Sequence, residues 1–273
     1  MFATIHTISE PENFWGKIKY NLLPPPVKTE VVRVEDGSDF LNITVPVIRG
    51  KIYWNNVSAA TGDAVKNLLV PRNLTEPDRV KLKVFKPEKF LSLVTINSFI
   101  KVLELLPKRR LISECAVVDF PASFTSLLSV LPKYCRTLRI ITANEEKYEL
   151  FSRTSLLDFG CAVNISKDIS KAFDSPTVLI PAPQKHPLAF SRTSKVFAPS
   201  GENIYAGTLL TPEGVNLPAE YLKLMPAGID PISFGAALFE LSGVSALSKC
   251  ACQSFSKNNS LLSYKDVISM LDY

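Results

Sequence analysis

Glycine is scarce in this chain, and its distribution says more than its number. The sequence has 11 glycines in 273 residues, and none lies between Gly62 and Gly160. Turns whose backbone approaches a bound phosphate closely are normally built with glycine, because a side chain would block the approach. The chain also has no P-loop, no Gly-x-Ser-x-Gly and no His-Glu-x-x-His motif. The familiar phosphate-binding, hydrolase and zinc-protease signatures are therefore absent.

Long apolar runs are missing as well. No segment approaches the roughly 18 uninterrupted apolar residues that a membrane span needs. The most apolar stretch, from Phe90 to Leu106, is interrupted by polar residues such as Ser92 and Lys101. The first six residues show no basic region followed by an apolar core, the pattern of a secretory signal. We therefore expect a cytoplasmic protein with no membrane partner.

Histidine and cysteine are too sparse to suggest a metal site. The two histidines, His6 and His186, lie far apart in the sequence, and the only close cysteine pair is Cys250 and Cys252. A structural zinc site needs four ligands, usually from two such pairs, so we predict no metal. An odd number of scattered cysteines, five in all, favours buried free thiols in a reducing compartment.

Basic residues are spread along the chain. The formal net charge is +5, and the one short basic cluster is Lys108-Arg109-Arg110. Proteins that bind nucleic acids usually concentrate basic charge on one face. Nucleic-acid binding is therefore the last-ranked hypothesis, and it predicts an affinity for oligonucleotides that falls with salt.

The first 86 residues are expected to form a β-rich N-terminal region. The apolar pattern there predicts a hairpin that turns near Arg49-Gly50. Strands are predicted at Glu30–Val34, Ile43–Ile48, Lys51–Trp54 and Lys81–Phe85.

Residues 87–107 read as one helix that connects this region to the rest of the chain. Pro87 opens the helix and Pro107 closes it, and its apolar positions cover most of its circumference. Such a helix is buried in a core or lies in an interface between proteins. The helix therefore predicts either a buried connector or the contact of a homodimer.

Residues 108–273 are assigned to an α/β domain with helices at its C-terminal end. Short apolar runs alternate with helical patterns from Glu114 to Pro181, which favours a parallel sheet with right-handed crossovers. The strand runs are Cys115–Val118, Thr137–Thr142, Ala162–Ile165 and Thr177–Ile180. The predicted fold class is α/β, a parallel sheet with flanking helices beside a smaller β-rich N-terminal region.

In its element order, this stretch resembles the Rossmann-like fold over residues 114–181, without indicating a specific family. That resemblance implies a glycine-rich turn after the first strand, where the backbone meets the pyrophosphate of a dinucleotide. The chain has Asp119-Phe120-Pro121 there, and Pro121 supplies no amide donor. The resemblance also implies an acidic residue after the second strand, where this chain has Thr142-Ala143-Asn144. We therefore predict no cofactor, with NAD(P) as the disfavoured alternative.

Capping residues predict the ends of several helices. Thr142 and Glu145 have the spacing of a capping box, and Gly160 stands where the C-cap of the same helix should fall. Asp230 followed by Pro231 predicts the start of a helix that ends before Gly243. A capping-box-like start at Ser263 predicts the last helix, which continues to Leu271.

The rim at the carboxyl ends of the parallel strands is the predicted site, because open α/β sheets bind ligands there. Three segments should meet at that rim, namely Asp119–Ser123, Thr142–Glu145 and Pro181–His186. The catalytic candidates are Asp119 and His186. The ligand-binding candidates are Asp119, Ser123, Thr125, Thr142, Asn144 and Gln184. Three of these residues have a plainer alternative: Ser123 as a helix cap, Asp119 as a turn cap or the partner of a basic side chain, and His186 as an exposed loop residue.

Two functions of different classes remain. The favoured hypothesis is a non-catalytic binding or interaction module on a degenerate Rossmann-like domain, with an unidentified protein or small molecule, or a second copy of the chain, as its partner. The alternative is an enzyme that acts on a small or phosphorylated substrate in a cleft between the two regions, using Asp119, Asn144 and His186.

Overall fold

The computed structural model describes residues 1–62, 65, 67–71, 83–107 and 110–271. Residue contacts divide the chain into two compact units. Unit 1 comprises Met1–Phe90 and Leu217–Ser248, and unit 2 comprises Leu91–Asn216 and Lys249–Tyr273. The N-terminal unit thus includes a late segment that the sequence analysis grouped with the Rossmann-like domain.

The described residues form strands and helices in a mixed order. The strands are β1 (Phe2–Ile8), β2 (Lys28–Val32), β3 (Phe40–Pro46), β4 (Asn67–Leu69), β5 (Lys83–Val84), β6 (Ile112–Val118), β7 (Cys135–Ile141), β8 (Ala162–Ser166), β9 (Thr177–Leu179), β10 (Leu188–Ala189), β11 (Lys195–Phe197), β12 (Ile204–Tyr205), β13 (Thr208–Glu213), β14 (Ser254–Lys257) and β15 (Ser260–Leu262). The α-helices are α1 (Phe14–Leu22), α2 (Trp54–Thr61), α3 (Lys89–Glu104), α4 (Thr125–Leu128), α5 (Glu146–Phe159), α6 (Ala219–Leu222), α7 (Pro231–Glu240) and α8 (Tyr264–Met270). Single 3-10 turns cover Leu131–Lys133, Ile169–Ala172 and Ser245–Lys249.

The described strands of unit 1 form a sheet with the order β2-β3-β1-β4-β5, and among them only β2 runs antiparallel to its neighbour. One face carries a core of small and branched apolar side chains, including Val57 of α2. Phe40 stacks on Phe2 at 4.9 Å and meets Phe234 of α7 edge-on at 5.6 Å. The late segment therefore belongs to unit 1 because it supplies apolar surface to this sheet.

The predicted turn at Arg49-Gly50 is confirmed, but the strand predicted at Lys51–Trp54 is wrong. Arg49 and Gly50 both have positive φ, 51° and 72°, as a two-residue hairpin turn requires. They close a single bridge between Ile48 and Lys51. The chain then enters α2 at Trp54 instead of extending the pairing. For the strand predicted at Lys81–Phe85, Lys81 and Leu82 lie outside the described residues, and β5 covers Lys83–Val84.

Unit 2 contains the Rossmann-like sheet. In its described part, six parallel strands stand in the order β8-β7-β6-β9-β11-β13, and β14 and β15 extend the β13 edge antiparallel. Numbered by their own sequence, the parallel strands follow the order 3-2-1-4-5-6, which is the doubly wound dinucleotide-fold order. The predicted Rossmann-like α/β fold is confirmed, and it extends beyond residue 181 to β11 and β13.

The two faces of this sheet are covered differently. Phe99 of α3 packs on Phe197 at 4.7 Å, and Phe197 contacts Phe255, which contacts Tyr264 of α8. Most of the apolar side chains of α3 are buried within the chain. The other face is covered by the 3-10 turn Ile169–Ala172 and by the small parallel pair of β10 and β12. The contacts from that pair include Leu188, Phe190 and Ile204.

Three of the predicted helix ends are confirmed. Asp230 accepts a hydrogen bond from the Ser233 amide at 3.0 Å, with Pro231 in the first turn of α7. Gly160 ends α5 in the left-handed conformation at φ 67°. Ser263 and Asp266 form the reciprocal capping box of α8. At these three ends, the capping group and its hydrogen-bond partner are close in sequence, which is why a local signal predicted them.

The cover formed by β10 and β12 depends on a close backbone approach at Gly207. A Cβ added there would lie 1.6 Å from the carbonyl oxygen of Arg192, which is main chain and has no rotamer to change. We expect Gly207→Ala to lower the free energy of unfolding by about 1–3 kcal/mol in urea titrations. Gly201→Ala is the control, because its Cβ would meet only the Leu209 Cδ2 atom at 3.0 Å. If the two variants were equally stable, the close contact between Gly207 and the Arg192 carbonyl would be contradicted.

Candidate functional site

The turns after β6 and β7 are joined at the carboxyl rim of the sheet. The Asp119 amide donates to the Ile141 carbonyl at 2.9 Å, and the Ala143 amide donates to the Phe120 carbonyl at 3.0 Å. The Thr142 hydroxyl also lies 3.3 Å from the Phe120 carbonyl, to which it donates. The first two predicted rim segments therefore meet, as expected for adjacent parallel strands.

The Asp119 side chain is the centre of this rim. Its carboxylate accepts hydrogen bonds from the backbone amides of Ser123 at 3.1 Å and Phe124 at 3.0 Å. The same carboxylate accepts a 2.6 Å hydrogen bond from the hydroxyl of Tyr148 on α5. Asp119 is 2% exposed, so the three donors compensate a carboxylate that is almost removed from water.

The hydrogen bonds of Asp119 occupy the backbone amides of the turn. The amides of Ser123 and Phe124 occupy the place where a Rossmann-like domain offers backbone donors to a pyrophosphate. Here a carboxylate of the same chain already accepts from both. The following helix, α4, has four residues, and its N-cap residue, Phe124, makes no side-chain capping bond. The predicted alternative in which Ser123 caps this helix is therefore wrong, and Asp119 holds the turn instead.

The turn has alanine at a position of positive φ, where glycine is usual. Ala122 has φ 52°, a left-handed conformation that glycine adopts without a steric penalty. Ala122 is buried, and its amide donates to the Asp119 carbonyl at 3.0 Å. The turn is therefore formed without glycine, and the Cβ of Ala122 is buried.

The segment after β7 does not cap α5 as expected. The Thr142 hydroxyl accepts from the Asn144 amide at 3.2 Å, and the N-cap residue of α5 is Glu145, with no side-chain capping bond. The predicted capping box of Thr142 and Glu145 is wrong because the Thr142 hydroxyl is used within the rim. Asn144 is exposed beside it.

The third predicted segment, after β9, is held by its own contacts. The Gln184 side-chain amide donates to the Ala182 carbonyl at 2.7 Å, and the Asn203 side chain donates to the Gln184 carbonyl at 2.9 Å. His186 is exposed. Among the described residues, no hydrogen bond links Gln184 or His186 to the Asp119 turn.

Tyr148 is the site residue that the sequence analysis missed. It lies on the inward stripe of α5 with Phe151 and Ser155, at the i, i+3 and i+7 positions. A buried tyrosine hydroxyl usually needs a hydrogen-bond partner. A tyrosine among the buried positions of α5 could therefore have indicated that its hydroxyl has a hydrogen-bond partner at the rim.

Burial and Asp119 together raise the pKa of Tyr148. Burial is the larger cause, and the hydrogen bond and negative charge of Asp119 act in the same direction. A contact from the Thr125 hydroxyl acts the opposite way and lowers the pKa of Tyr148. Thr125, a predicted ligand-binding residue, therefore lies against this buried pair.

Unit 2 has a second polar feature close to the rim turn. A depression of about 380 Å³ lies over β7 and β8, with Arg139 and Lys171 in its lining. Arg139 is already held by an ion pair with Glu114 at 3.0 Å and by the Lys171 carbonyl. Across the described ranges, no group of three His, Cys, Asp or Glu side chains is placed to hold a metal ion, and the five cysteines are buried free thiols.

No protein-family model matches the chain, and neither does any curated protein sequence. None of the helices in the described part of the chain combines the length and apolar character that crossing a bilayer requires.

Solved structures to which the chain is similar include a dehydrogenase and a reductase. A quinate dehydrogenase from Corynebacterium glutamicum in complex with NAD has 8% identity and a TM-score of 0.29, over 71% of this chain and 78% of that chain. A Thermococcus litoralis Δ1-pyrroline-2-carboxylate reductase in complex with NADH and L-proline has 9% identity and a TM-score of 0.28, over 65% of this chain and 62% of that chain. The assignment of the fold rests on the strand order of this chain.

The Asp119 cluster should contribute strongly to stability. We expect Asp119→Ala to lower the free energy of unfolding by about 3 kcal/mol, since it leaves two amides and a buried hydroxyl without their acceptor. Tyr148→Phe should cost about 1–2 kcal/mol, because it removes one hydrogen bond and keeps the ring. Urea unfolding measures both. Asp174→Ala, at an exposed aspartate of the same unit, is the control and should change stability by less than about 0.5 kcal/mol.

The pair of Tyr148 and Asp119 should also make stability fall at alkaline pH. Unfolded tyrosine ionises near pH 10, whereas burial and Asp119 keep the folded Tyr148 neutral to higher pH. The resulting stabilisation is complete below about pH 10 and is lost as the pH rises towards the pKa of the folded state. The difference in free energy of unfolding between wild type and Tyr148→Phe should therefore be constant below about pH 10 and narrow above it. A difference that widens at alkaline pH would be inconsistent with this linkage.

Proposed function

We propose that this chain is a non-catalytic binding or interaction protein whose Rossmann-like domain serves as a scaffold and not as a dinucleotide site. The observation that supports the proposal is the hydrogen-bonded Asp119 carboxylate. It accepts from the two turn amides, Ser123 and Phe124, that would otherwise be offered to a phosphate.

Electrostatics supports the same proposal. An anion placed at these amides would lie within hydrogen-bond distance of a buried carboxylate, and like charges at such separations repel strongly where water is excluded. Pro121 adds no donor to the turn, and α4 is too short to provide a helix N-terminus of its own. A dinucleotide therefore does not fit this turn unless Asp119 leaves its three donors.

The side chain of Phe120 also occupies part of the rim. Its side chain is partly buried and packs against the apolar core formed under β10 and β12. Phe124, at the end of the same turn, is half-buried. The turn is therefore occupied by side chains of the chain itself, which favours a structural role for this part of the rim.

A second candidate function is an enzyme that binds a nicotinamide dinucleotide or another small ligand at the rim. The strand order favours it, because the direction of winding reverses between β6 and β9, and open α/β sheets bind ligands at that point. Asp119 and His186 are its candidate catalytic residues, and Ser123, Thr142 and Gln184 are candidate contacts. This function requires a ligand to bind without the amides that Asp119 occupies, or to displace the carboxylate.

Thermal unfolding with a panel of NAD(H), NADP(H), FAD, S-adenosylmethionine and ATP separates the two functions. A ligand that binds only the folded state stabilises it by about 2.7 kcal/mol at a hundredfold excess over its dissociation constant. We expect no increase in the unfolding midpoint with any member of the panel. A dehydrogenase of known NAD affinity in the same assay is the positive control. A reproducible shift with one dinucleotide would overturn the scaffold proposal and favour the enzyme.

A further inference from the structure

The first helix of unit 1 exposes its apolar side to solvent. In α1 and the residue after it, the exposed fractions are 70% for Phe14, 78% for Trp15, 76% for Leu22 and 77% for Leu23, with Ile18 at 37%. Single exposed apolar residues are ordinary, but a contiguous group of large ones marks an interaction surface. We call these five residues the α1 apolar face.

The spacing of these residues places them on one side of the helix. Phe14, Ile18 and Leu22 follow one another at intervals of four residues, and Trp15 lies beside Phe14, with the rings 5.6 Å apart. Lys17 and Lys19 border this arc on its two sides and are exposed. The helix, FWGKIKYNL, contains no acidic residue.

The opposite side of α1 holds the helix to unit 1. Tyr20 is buried, and its hydroxyl donates to the carbonyl of Ile8, the last residue of β1, at 2.9 Å. At the start of the helix, the Asn13 side chain caps the Gly16 amide at 2.8 Å. The Asn13 cap stabilises the start of the helix, and the Tyr20 contact sets which side of α1 faces unit 1. The α1 apolar face lies away from Tyr20 and is exposed.

We propose that α1 is a membrane-surface helix that docks the protein on an anionic lipid bilayer. Helices that lie in a bilayer interface combine Trp, Phe and Leu on one side with lysines on the other, without spanning the membrane. Here the α1 apolar face enters the headgroup region, and Lys17 and Lys19 reach the lipid phosphates from its two margins. The sequence expectation of no membrane partner rested on membrane spans, and a nine-residue surface helix escapes that criterion.

The charges around α1 favour a lipid surface over a protein partner. Glu10 and Glu12 precede the helix, and the Glu10 carboxylate accepts from the Arg49 amide, in a turn that also exposes the basic side chains of Arg49 and Lys51. A second exposed apolar patch in unit 2 provides the contrast. Leu150 and Leu157 of α5 are 73% and 83% exposed, but acidic residues accompany them on that helix. Of these two patches, the α1 apolar face is the one that combines exposed aromatics with charged neighbours that are all basic on its own helix.

The test is co-sedimentation of the full chain with phosphatidylcholine vesicles, with and without phosphatidylserine. We expect binding to the vesicles that contain phosphatidylserine and weaker binding to phosphatidylcholine alone. Lys17→Gln and Lys19→Gln should each weaken binding about fivefold, as expected for one basic residue near an anionic surface. In a Trp54→Phe background, Trp15 is the single tryptophan, and its fluorescence should shift to shorter wavelength on binding.

A matched pair of double variants locates the surface. Trp15→Gln with Leu22→Gln should abolish vesicle binding, and circular dichroism should show unchanged folding because both side chains are exposed. Leu150→Gln with Leu157→Gln removes equally exposed leucines from α5 and should leave vesicle binding intact.

Three results would overturn the proposal. The first is the absence of binding to either kind of vesicle. The second is binding that survives the Trp15 and Leu22 substitutions. The third is a dimer, seen by sedimentation without lipid, that those two substitutions abolish, since α1 would then be a contact between copies of the chain.

Discussion

The buried carboxylate of Asp119 is the interaction on which the character of this protein depends. It stands at the end of the first strand of a doubly wound sheet, where related architectures place a glycine and leave the amides free for a ligand. Here it accepts from the Ser123 and Phe124 amides and from Tyr148, so the turn, the rim and α5 are held by one side chain. If the carboxylate left this set, one buried hydroxyl and two partly buried amides would lose their acceptor, so the arrangement is costly to open. In the proposed function, the Asp119 carboxylate takes the place that a phosphate has in a dinucleotide-binding turn.

In the proposed function, this arrangement separates the fold of unit 2 from dinucleotide binding. The strand order alone would assign a dinucleotide fold, and the local contacts at the rim assign a closed turn. A fold hosts many functions, and the site decides which of them is available. The interactions proposed for this protein therefore lie on surfaces, and the α1 apolar face of unit 1 is the one with the most specific chemistry.

The sequence predicted several features that depend on neighbours in the chain, and it missed a contact that depends on how the helices and strands pack. Gly160, Asp230 and Ser263 marked helix ends correctly, because each cap bonds to a group a few residues away. The contact of Tyr148 with Asp119 joins residues 29 apart and exists only when α5 crosses from β7 back over the sheet. The strand predicted at Lys51–Trp54 failed because a tight turn closed one bridge and the chain then continued as a helix.

Amide hydrogen exchange at Ser123 and Phe124 tests the central claim most directly. Both amides lie in a surface turn, and Ser123 is an exposed residue, so without the Asp119 acceptor they should exchange rapidly. The account predicts slow exchange at both amides in the ligand-free protein and fast exchange in an Asp119→Ser variant that is still folded. Fast exchange at both amides in the wild-type protein would contradict it, because the turn would then be open to a ligand.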